Sequence, residues 1–429
     1  MSEATLNFHH HKPLSDLIFE KIKTARKHGI AWAIRERFIP YFLWLCLHFI
    51  LLVIYPFKSV KVILLRTDRI GHLAYNTAIF LRKILSRKGE WGQYYCVFII
   101  SPEIANQQLW KMYQREIASI WNYNCVLITN KLLSRIFDRL KITESTSYFE
   151  NCHWLFDFDY PYYKFGNPQP LLHFTPAEEK QGKKIMGQMG LDRHCWFICF
   201  HSRDTAFEAS LASKPKGLLL GHIYRNAEVK TYLEAAEYIA SCGGYAVRMG
   251  SVVAEKISNI TPPRIIDYSF THRSDFGDIY LISKAKFFLG NSAGIFFVAT
   301  IFGVPLALAN FVPLEVLTPF REGDLFITKK IWSYEKGRLL TFREILEIDQ
   351  NRYANPNQNE FRVIDNTAEE IRELAQEMNE RLDGTFSVTK EDNELQKEFH
   401  SIFKPHHLCY GTVVRIGAKF IRDNKELLA

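Results

Sequence analysis

From residue 60 onward, short unbroken apolar runs alternate with longer stretches in which apolar residues recur every three or four positions. The runs read as strands and the longer stretches as helices. In the first half the pattern predicts strands over 62–65, 95–100, 125–128 and 153–156, with helices over 70–85, 102–120 and 130–141. Residues 160–170 carry three Pro and one Gly and read as a linker. The second half opens at Thr175-Pro-Ala-Glu178, an N-cap followed by a first-turn proline. Strands then follow over 196–200, 245–249, 264–267, 286–289 and 306–309, with helices over 228–240, 275–284 and 292–302. Asp275 and Asp278 read as N-terminal caps rather than ligands. Beyond residue 340, stretches 342–348 and 368–382 read as charged amphipathic helices, and 390–429 as helical and polar.

Such alternation predicts parallel sheets. Two glycine-punctuated strand–turn–helix units stand out within it. The first is Lys61-Val-Ile-Leu-Leu-Arg-Thr-Asp-Arg-Ile-Gly-His-Leu-Ala74, and the second is Ala285-Lys-Phe-Phe-Leu-Gly-Asn-Ser-Ala-Gly294. In parallel α/β sheets, ligands sit at the carboxyl ends of strands, and amides at a helix start attract anions. The fold class is therefore α/β, with two Rossmann-like domains facing a cleft. The chain divides into an N-terminal segment (1–58), a first Rossmann-like domain (59–165), a second (170–385) and a helical tail (386–429).

Charge and apolarity change the picture at the N-terminus. The chain carries a net charge of +8, and residues 1–60 hold eight Lys/Arg against four Asp/Glu. Residues 38–57 then contain no charged side chain. A bilayer span needs about 20 apolar residues, but the flanking cations would keep the N-terminus inside and export the rest. An interfacial or re-entrant element on an anionic membrane surface is favoured over a buried helix or a true span. Eight scattered cysteines without a Cys-x-x-Cys pair suit reduced thiols, hence a cytoplasmic protein, peripheral or monotopic at the inner membrane. Nucleic acid is excluded as a partner, since the cations cluster beside an apolar stretch and no recognition motif occurs.

Four turns could carry chemistry. In Arg66-Thr-Asp-Arg-Ile-Gly-His72, Gly71 permits a tight bend and His72 is either a proton acceptor near neutral pH or a helix-capping imidazole. In Phe200-His-Ser-Arg-Asp-Thr205, Arg203 suits a diphosphate and His201 and Asp204 could orient it, unless the loop is simply ion-paired. His222-Ile-Tyr-Arg225-Asn226 adds further donors. Arg248, ending a strand before Gly250, is either an anion ligand or an exposed turn arginine. In the fourth, Asn291, Ser292, Ala293 and Gly294 are small enough to admit a phosphate to helix-start amides. An Asp-x-Asp at Asp157 and Asp159 and the triplet His9-His10-His11 are weaker metal candidates, and no metal site is assigned.

Strand-Arg-x-Asp-Arg-Ile-Gly with Ser-x-Gly…Phe-Gly-Val-Pro resembles the GT-B glycosyltransferases of the heptosyltransferase type. The fuller set adds Arg-Ile-Gly-His, His-x-Arg-Asp, Tyr-Arg-Asn-Ala, Arg-Met-Gly and Asp-Ile-Tyr-Leu-Ile-Ser, and is closer to an uncharacterised clade of bacterial glycosyltransferases. The His-x-Arg element also resembles the GDP-sugar site of O-fucosyltransferases. The resemblance covers residues 60–385. It implies an acceptor-binding N-terminal domain and a nucleotide-sugar-binding C-terminal domain. It further implies metal-independent inversion with a nucleotide sugar as substrate, no cofactor, and a glycan or lipid-linked acceptor. His72 stands where heptosyltransferases carry Asp, so the resemblance implies His72 as base and Asp68 as the next candidate. Their Asp-Ser-Gly is Asn291-Ser292-Ala293-Gly294 here, so the resemblance does not extend to a heptose donor.

Overall fold

The computed structural model describes residues 60–86, 94–122, 124–130, 149–151, 169–192, 194–206, 223–257, 263–317, 321–348 and 360–429, with isolated helical positions at 39, 42, 45, 46, 49, 50, 53 and 133. Apart from those positions, the N-terminal segment, the 130–141 helix and the 153–156 strand lie outside the described residues. So do residues 160–168 of the linker, Asp157, Asp159, His222 and the histidine triplet. No helix among the described residues is long and apolar enough to cross a membrane. The seven described cysteines are all free.

Contacts divide the chain into two compact units. The first is Met1–Asp68, Phe80–Ile104 and Ile117–Trp154; the second is Arg69–Ile79, Ala105–Glu116 and Leu155–Ala429.

The first unit holds a parallel sheet of β1 (Val60–Leu65), β2 (Tyr95–Ile100), β3 (Cys125–Thr129) and β4 (Phe149–Asn151), in the order β3-β2-β1-β4. Its fourth strand, 149–151, was not among the strands expected from the sequence. Val62–Leu65 and Phe98–Ile100 are buried. Phe98 packs edge-on against Trp121, with ring centroids 5.2 Å apart. Thr67, just after β1, donates its hydroxyl to the carbonyls of Ser101 and Glu103 at 3.2 and 3.0 Å, tying the turns after β1 and β2 together.

In the second unit lies a seven-stranded sheet of β5 (Phe197–Phe200), β6 (Tyr245–Arg248), β7 (Ile265–Ile266), β8 (Phe288–Gly290), β9 (Leu306–Phe311), β10 (Leu325–Thr328) and β14 (Arg415–Ile416). Every pairing is parallel, in the order β14-β10-β9-β8-β5-β6-β7. Counted from β5, this is the 3-2-1-4-5-6 succession of dinucleotide-binding folds with one strand added. The chain proceeds from β5 to β7 in one direction, then returns to β8 on the other side of β5. The strand order thus reverses between β5 and β8.

All residues of β5, β8, β9 and β10 are buried, as strands covered on both faces must be. The added strand β14 comes from the tail, so residues 415–416 complete the sheet. A smaller antiparallel sheet, unforeseen in the sequence, pairs β11 (Lys330–Ser333) with β12 (Arg338–Leu339) and β13 (Phe361–Ile364).

Helix starts follow local chemistry. Thr175 with Glu178, Thr341 with Glu344, Thr367 with Glu370 and Thr389 with Asp392 each form a reciprocal capping box. The helix Asp275–Lys284 is capped instead by Ser274, which accepts from the Gly277 amide. Asp275 and Asp278 are therefore not the caps expected of them. Asp275 accepts from the Gln107 amide at 2.8 Å, and Asp278 pairs with Arg273 at 3.0 Å.

Candidate active site

The reversal between β5 and β8 brings two of the sequence motifs side by side. Phe200 pairs with Leu289, and the next amide, that of His201, still reaches the Leu289 carbonyl at 2.9 Å. Beyond it the chains leave the sheet as His201–Asp204 and Asn291–Gly294. Asn291 is fully buried, and its side chain joins three segments. Its Oδ1 accepts from the Arg203 amide at 3.1 Å, and its Nδ2 donates to the Arg225 carbonyl at 3.0 Å. A buried amide that satisfies two backbone groups acts as a rivet; removing it would strand both.

Arg203 is fixed a second time. Its Nε donates to Asn226 Oδ1 at 3.1 Å, while its carbonyl accepts from the Ala227 amide at 2.9 Å. Arg225 closes the short turn Ile223–Arg225, with its guanidinium 5.7 Å from the centroid of the Tyr224 ring.

His201 Nδ1 lies 2.9 Å from the Met249 carbonyl. A carbonyl only accepts, so Nδ1 carries the hydrogen and Nε2 the lone pair. Burial, with the nearby Arg248 and Arg203 cations, pushes its pKa down to about 4 against the opposing pull of the Met249 carbonyl and Asp204. His201 is thus a neutral acceptor at physiological pH, not a cation for phosphate.

Three residues expected at the ligand serve the scaffold in the described structure. Asp204 accepts the Ala206 amide at 2.9 Å and the Ala254 amide at 2.8 Å, stapling its loop to the one after β6. Arg248 is 1% exposed and pairs internally through Nη1 with Asp267 at 3.3 Å and with the Glu255 carbonyl at 2.7 Å, so it is not an exposed turn arginine. Gly294 is also packed tightly against the first motif. A Cβ there would fall 2.9 Å from the Gly71 nitrogen, so the second glycine turn packs against the first, within the same unit.

The short helix after this turn runs Phe296–Ile301 rather than 292–302. Ser292 Oγ accepts the Val312 amide at 2.8 Å and keeps its own hydrogen to donate; Ala293 is buried beside it.

The first motif also differs from its expected form. Gly71 is helical, at φ −64 and ψ −43, and makes no left-handed bend. His72 opens a single π-helical turn, His72–Asn76. Such turns recur at functional sites. Its Nδ1 lies 3.3 Å from the amide end of Asn76. Asp68 belongs to the first unit, where it pairs with Arg66 at 3.4 Å.

Among the described residues, Glu347, His406 and His407 could bring ligand atoms within 4.8 Å of one another. His407 Nδ1 accepts the Lys404 amide at 3.1 Å, which places the hydrogen on Nε2 toward Glu347. His407 Nε2 stands 3.9 Å from that carboxylate, while Lys404 Nζ sits 3.2 Å from it, so Glu347 is already engaged in an ion pair with Lys404.

Sequence reading passed over Lys329, which directly follows β10, and it missed the bridging role of Asn291. A strand-end position was the available signal for Lys329. Asn291 gave none beyond its place in a motif.

The fold and these residues define an α/β protein whose main sheets are parallel, with polar, arginine-bearing loops at its strand-order reversal. No family model and no curated protein sequence matches the chain. Among solved structures, it is similar to a glycosyl transferase family 9 protein from Veillonella parvula, with a TM-score of 0.42 and 12% identity over 75% of this chain and 97% of that one. It is also similar to the ADP-heptose LPS heptosyltransferase II of E. coli, with a TM-score of 0.36 and 13% identity over 68% of this chain and 96% of that one. A third is the dodecameric iron-containing heptosyltransferase TibC in complex with ADP-D-beta-D-heptose, with a TM-score of 0.36 and 11% identity over 76% and 78% of the two chains.

Proposed function

We propose that this chain is a glycosyltransferase that moves a sugar from a nucleotide-sugar donor to a hydroxyl of a glycan or lipid-linked acceptor, inverting the anomeric centre without a metal. The observation that carries this reading is Arg203 held by Asn291 and Asn226 where the strand order reverses. In open parallel sheets that reversal is where nucleotides bind.

His72 takes the proton of the acceptor hydroxyl. The oxygen attacks the anomeric carbon from the face opposite the diphosphate, and the bond from that carbon to the diphosphate oxygen breaks. Arg203 and Arg225 take up the charge that develops on the leaving nucleoside diphosphate, with the Ser292 hydroxyl as a further donor. Prepositioned donors of this kind usually supply the largest catalytic term. Neutral His201 accepts from a donor hydroxyl.

The reaction is placed at the cytoplasmic face of the inner membrane. Support comes from the excess of cations in residues 1–60 beside the uncharged run 38–57, which suit an anionic lipid surface.

A thermal-shift screen with ADP-, UDP-, GDP- and CMP-sugars, followed by transfer assays with and without a chelator, tests the reading. The true donor stabilises by RT ln(1 + [L]/Kd) and stands apart from its bare sugar. Turnover persists in chelator and is lost in His72→Ala. Silence toward every nucleotide sugar overturns the proposal. Binding without turnover leaves a non-catalytic nucleotide binder, and loss of turnover in chelator returns the chemistry to Asp157 and Asp159.

A further inference from the structure

Lys329 is the one residue between β10 and β11, and its side chain is 3% exposed. A buried ammonium is costly unless it is paired and hydrogen-bonded. An apolar side chain of similar length would fill that space without the cost. The register of the small antiparallel sheet provides the partner. Lys330 pairs with Ile364, so the preceding Lys329 meets the following Asp365. Lys329 Nζ donates to Asp365 Oδ1 at 2.6 Å and to the backbone carbonyl of Asn226 at 2.5 Å. Asn226 is the residue whose side chain accepts from Arg203 Nε. Its carbonyl is therefore pinned from one side while its amide oxygen aims the arginine on the other.

We propose that Lys329 and Asp365 form a positioning pair that sets the Arg203 guanidinium, through Asn226, for the diphosphate of the donor. This deepens the glycosyltransferase reading and rests on it. The pair acts through Asn226 and does not touch the reacting atoms. Its partner is one step removed: the pyrophosphate that Arg203 grips. The small antiparallel sheet thereby acquires a purpose beyond packing, because a shift of its register by one residue would remove Asp365 from Lys329.

The test is a double-mutant cycle read by isothermal titration calorimetry. The probe is whichever of ADP, UDP and GDP binds the wild-type protein most tightly. Lys329→Met and Asp365→Asn are each measured with Arg203 present and with Arg203→Ala. The proposal expects each to weaken binding by roughly tenfold when Arg203 is present and by less than about twofold when it is absent. Asp365 has a 41% exposed side chain, so Asp365→Asn carries the cycle alone if Lys329→Met does not fold. Equal losses in both backgrounds mark the pair as merely structural and overturn the inference, as does no loss in either. A wild-type protein that binds none of the three diphosphates instead overturns the functional reading itself.

Discussion

Gly71 and Gly294 lie backbone against backbone: a Cβ on Gly294 would stand 2.9 Å from the Gly71 nitrogen, and one on Gly71 would stand 3.0 Å from the Gly294 Cα. This contact fixes how the His72 turn sits on the turn after β8. Gly71 has helical dihedrals, so alanine there would otherwise gain up to about 1 kcal/mol in helix propensity. The nearest obstructing atom on each side is main chain and cannot swing aside. Gly71→Ala and Gly294→Ala should therefore each destabilise by about 1–3 kcal/mol in urea unfolding. Gly187, in the helix Pro176–Gln188, has nothing within 4 Å of its Cβ position and is the control. Gly187→Ala should stabilise by a few tenths to about 1 kcal/mol. Equal behaviour of the three variants would refute the close approach.

The two strand-end arginines should separate cleanly. Arg203→Ala should lower turnover by roughly 10²–10³-fold while folding stability changes little. Arg248→Ala leaves Asp267 buried without its cation and should cost about 3–5 kcal/mol of stability. The reverse pattern, with Arg248→Ala well folded but inactive, would return Arg248 to the ligand.

Asn291→Ala strands the Arg203 amide and the Arg225 carbonyl together. A loss of about 2–6 kcal/mol is expected, from two unsatisfied, half-buried backbone groups at about 1–3 kcal/mol each. Serine cannot bridge both partners, so Asn291→Ser should rescue only part. Near-wild-type unfolding midpoints for both variants would show that the rivet carries no load.

His201 predicts a pH signature. Its folded pKa of about 4 lies below the unfolded value of about 6.5, so the unfolded chain binds more protons between those limits. Its contribution is complete above pH 6.5 and is lost as pH falls toward 4. His201→Gln should remove about 1–3 kcal/mol of that acid-side loss, for a side chain that keeps some solvent contact. Asp278, whose burial raises its pKa to about 6, gives an opposing slope from about pH 4 to 6. The difference between wild type and His201→Gln cancels it. Parallel stability–pH curves for the two proteins would contradict the assignment.

The His72–Asn76 pair tests the base. For Nε2 to accept a proton, Nδ1 must hold its hydrogen and Asn76 must present its oxygen, a choice of amide orientation. Asn76→Asp places a carboxylate at that position and should raise the imidazole pKa. A base fails below its pKa, so the acidic limb of the rate profile should move to higher pH. An unmoved limb would take the proton transfer away from His72.

The strands, the helices and their order were legible because each depends on spacing within a few residues. Apolar runs predict β5, β8 and β9, and Thr175 with Glu178 marks a helix start because the cap and its partner are three residues apart. The strand-end rule likewise led to Arg203 and Arg248 alike. It could not tell them apart, since both follow an apolar run and only one meets a buried carboxylate.

What the sequence by itself determined was a parallel α/β chain with polar turns at the carboxyl ends of its strands. Tertiary structure alone decided which turns meet: Arg203 with Asn291 across 88 residues, Lys329 with Asn226 across 103, and Gly71 against Gly294. It also set Gly294 in backbone contact with Gly71 and Arg248 in an internal ion pair with Asp267. The reason is that side-chain periodicity fixes which face of an element is buried. Hydrogen-bond partners at that distance exist only once sheet order and register have brought the strand ends together.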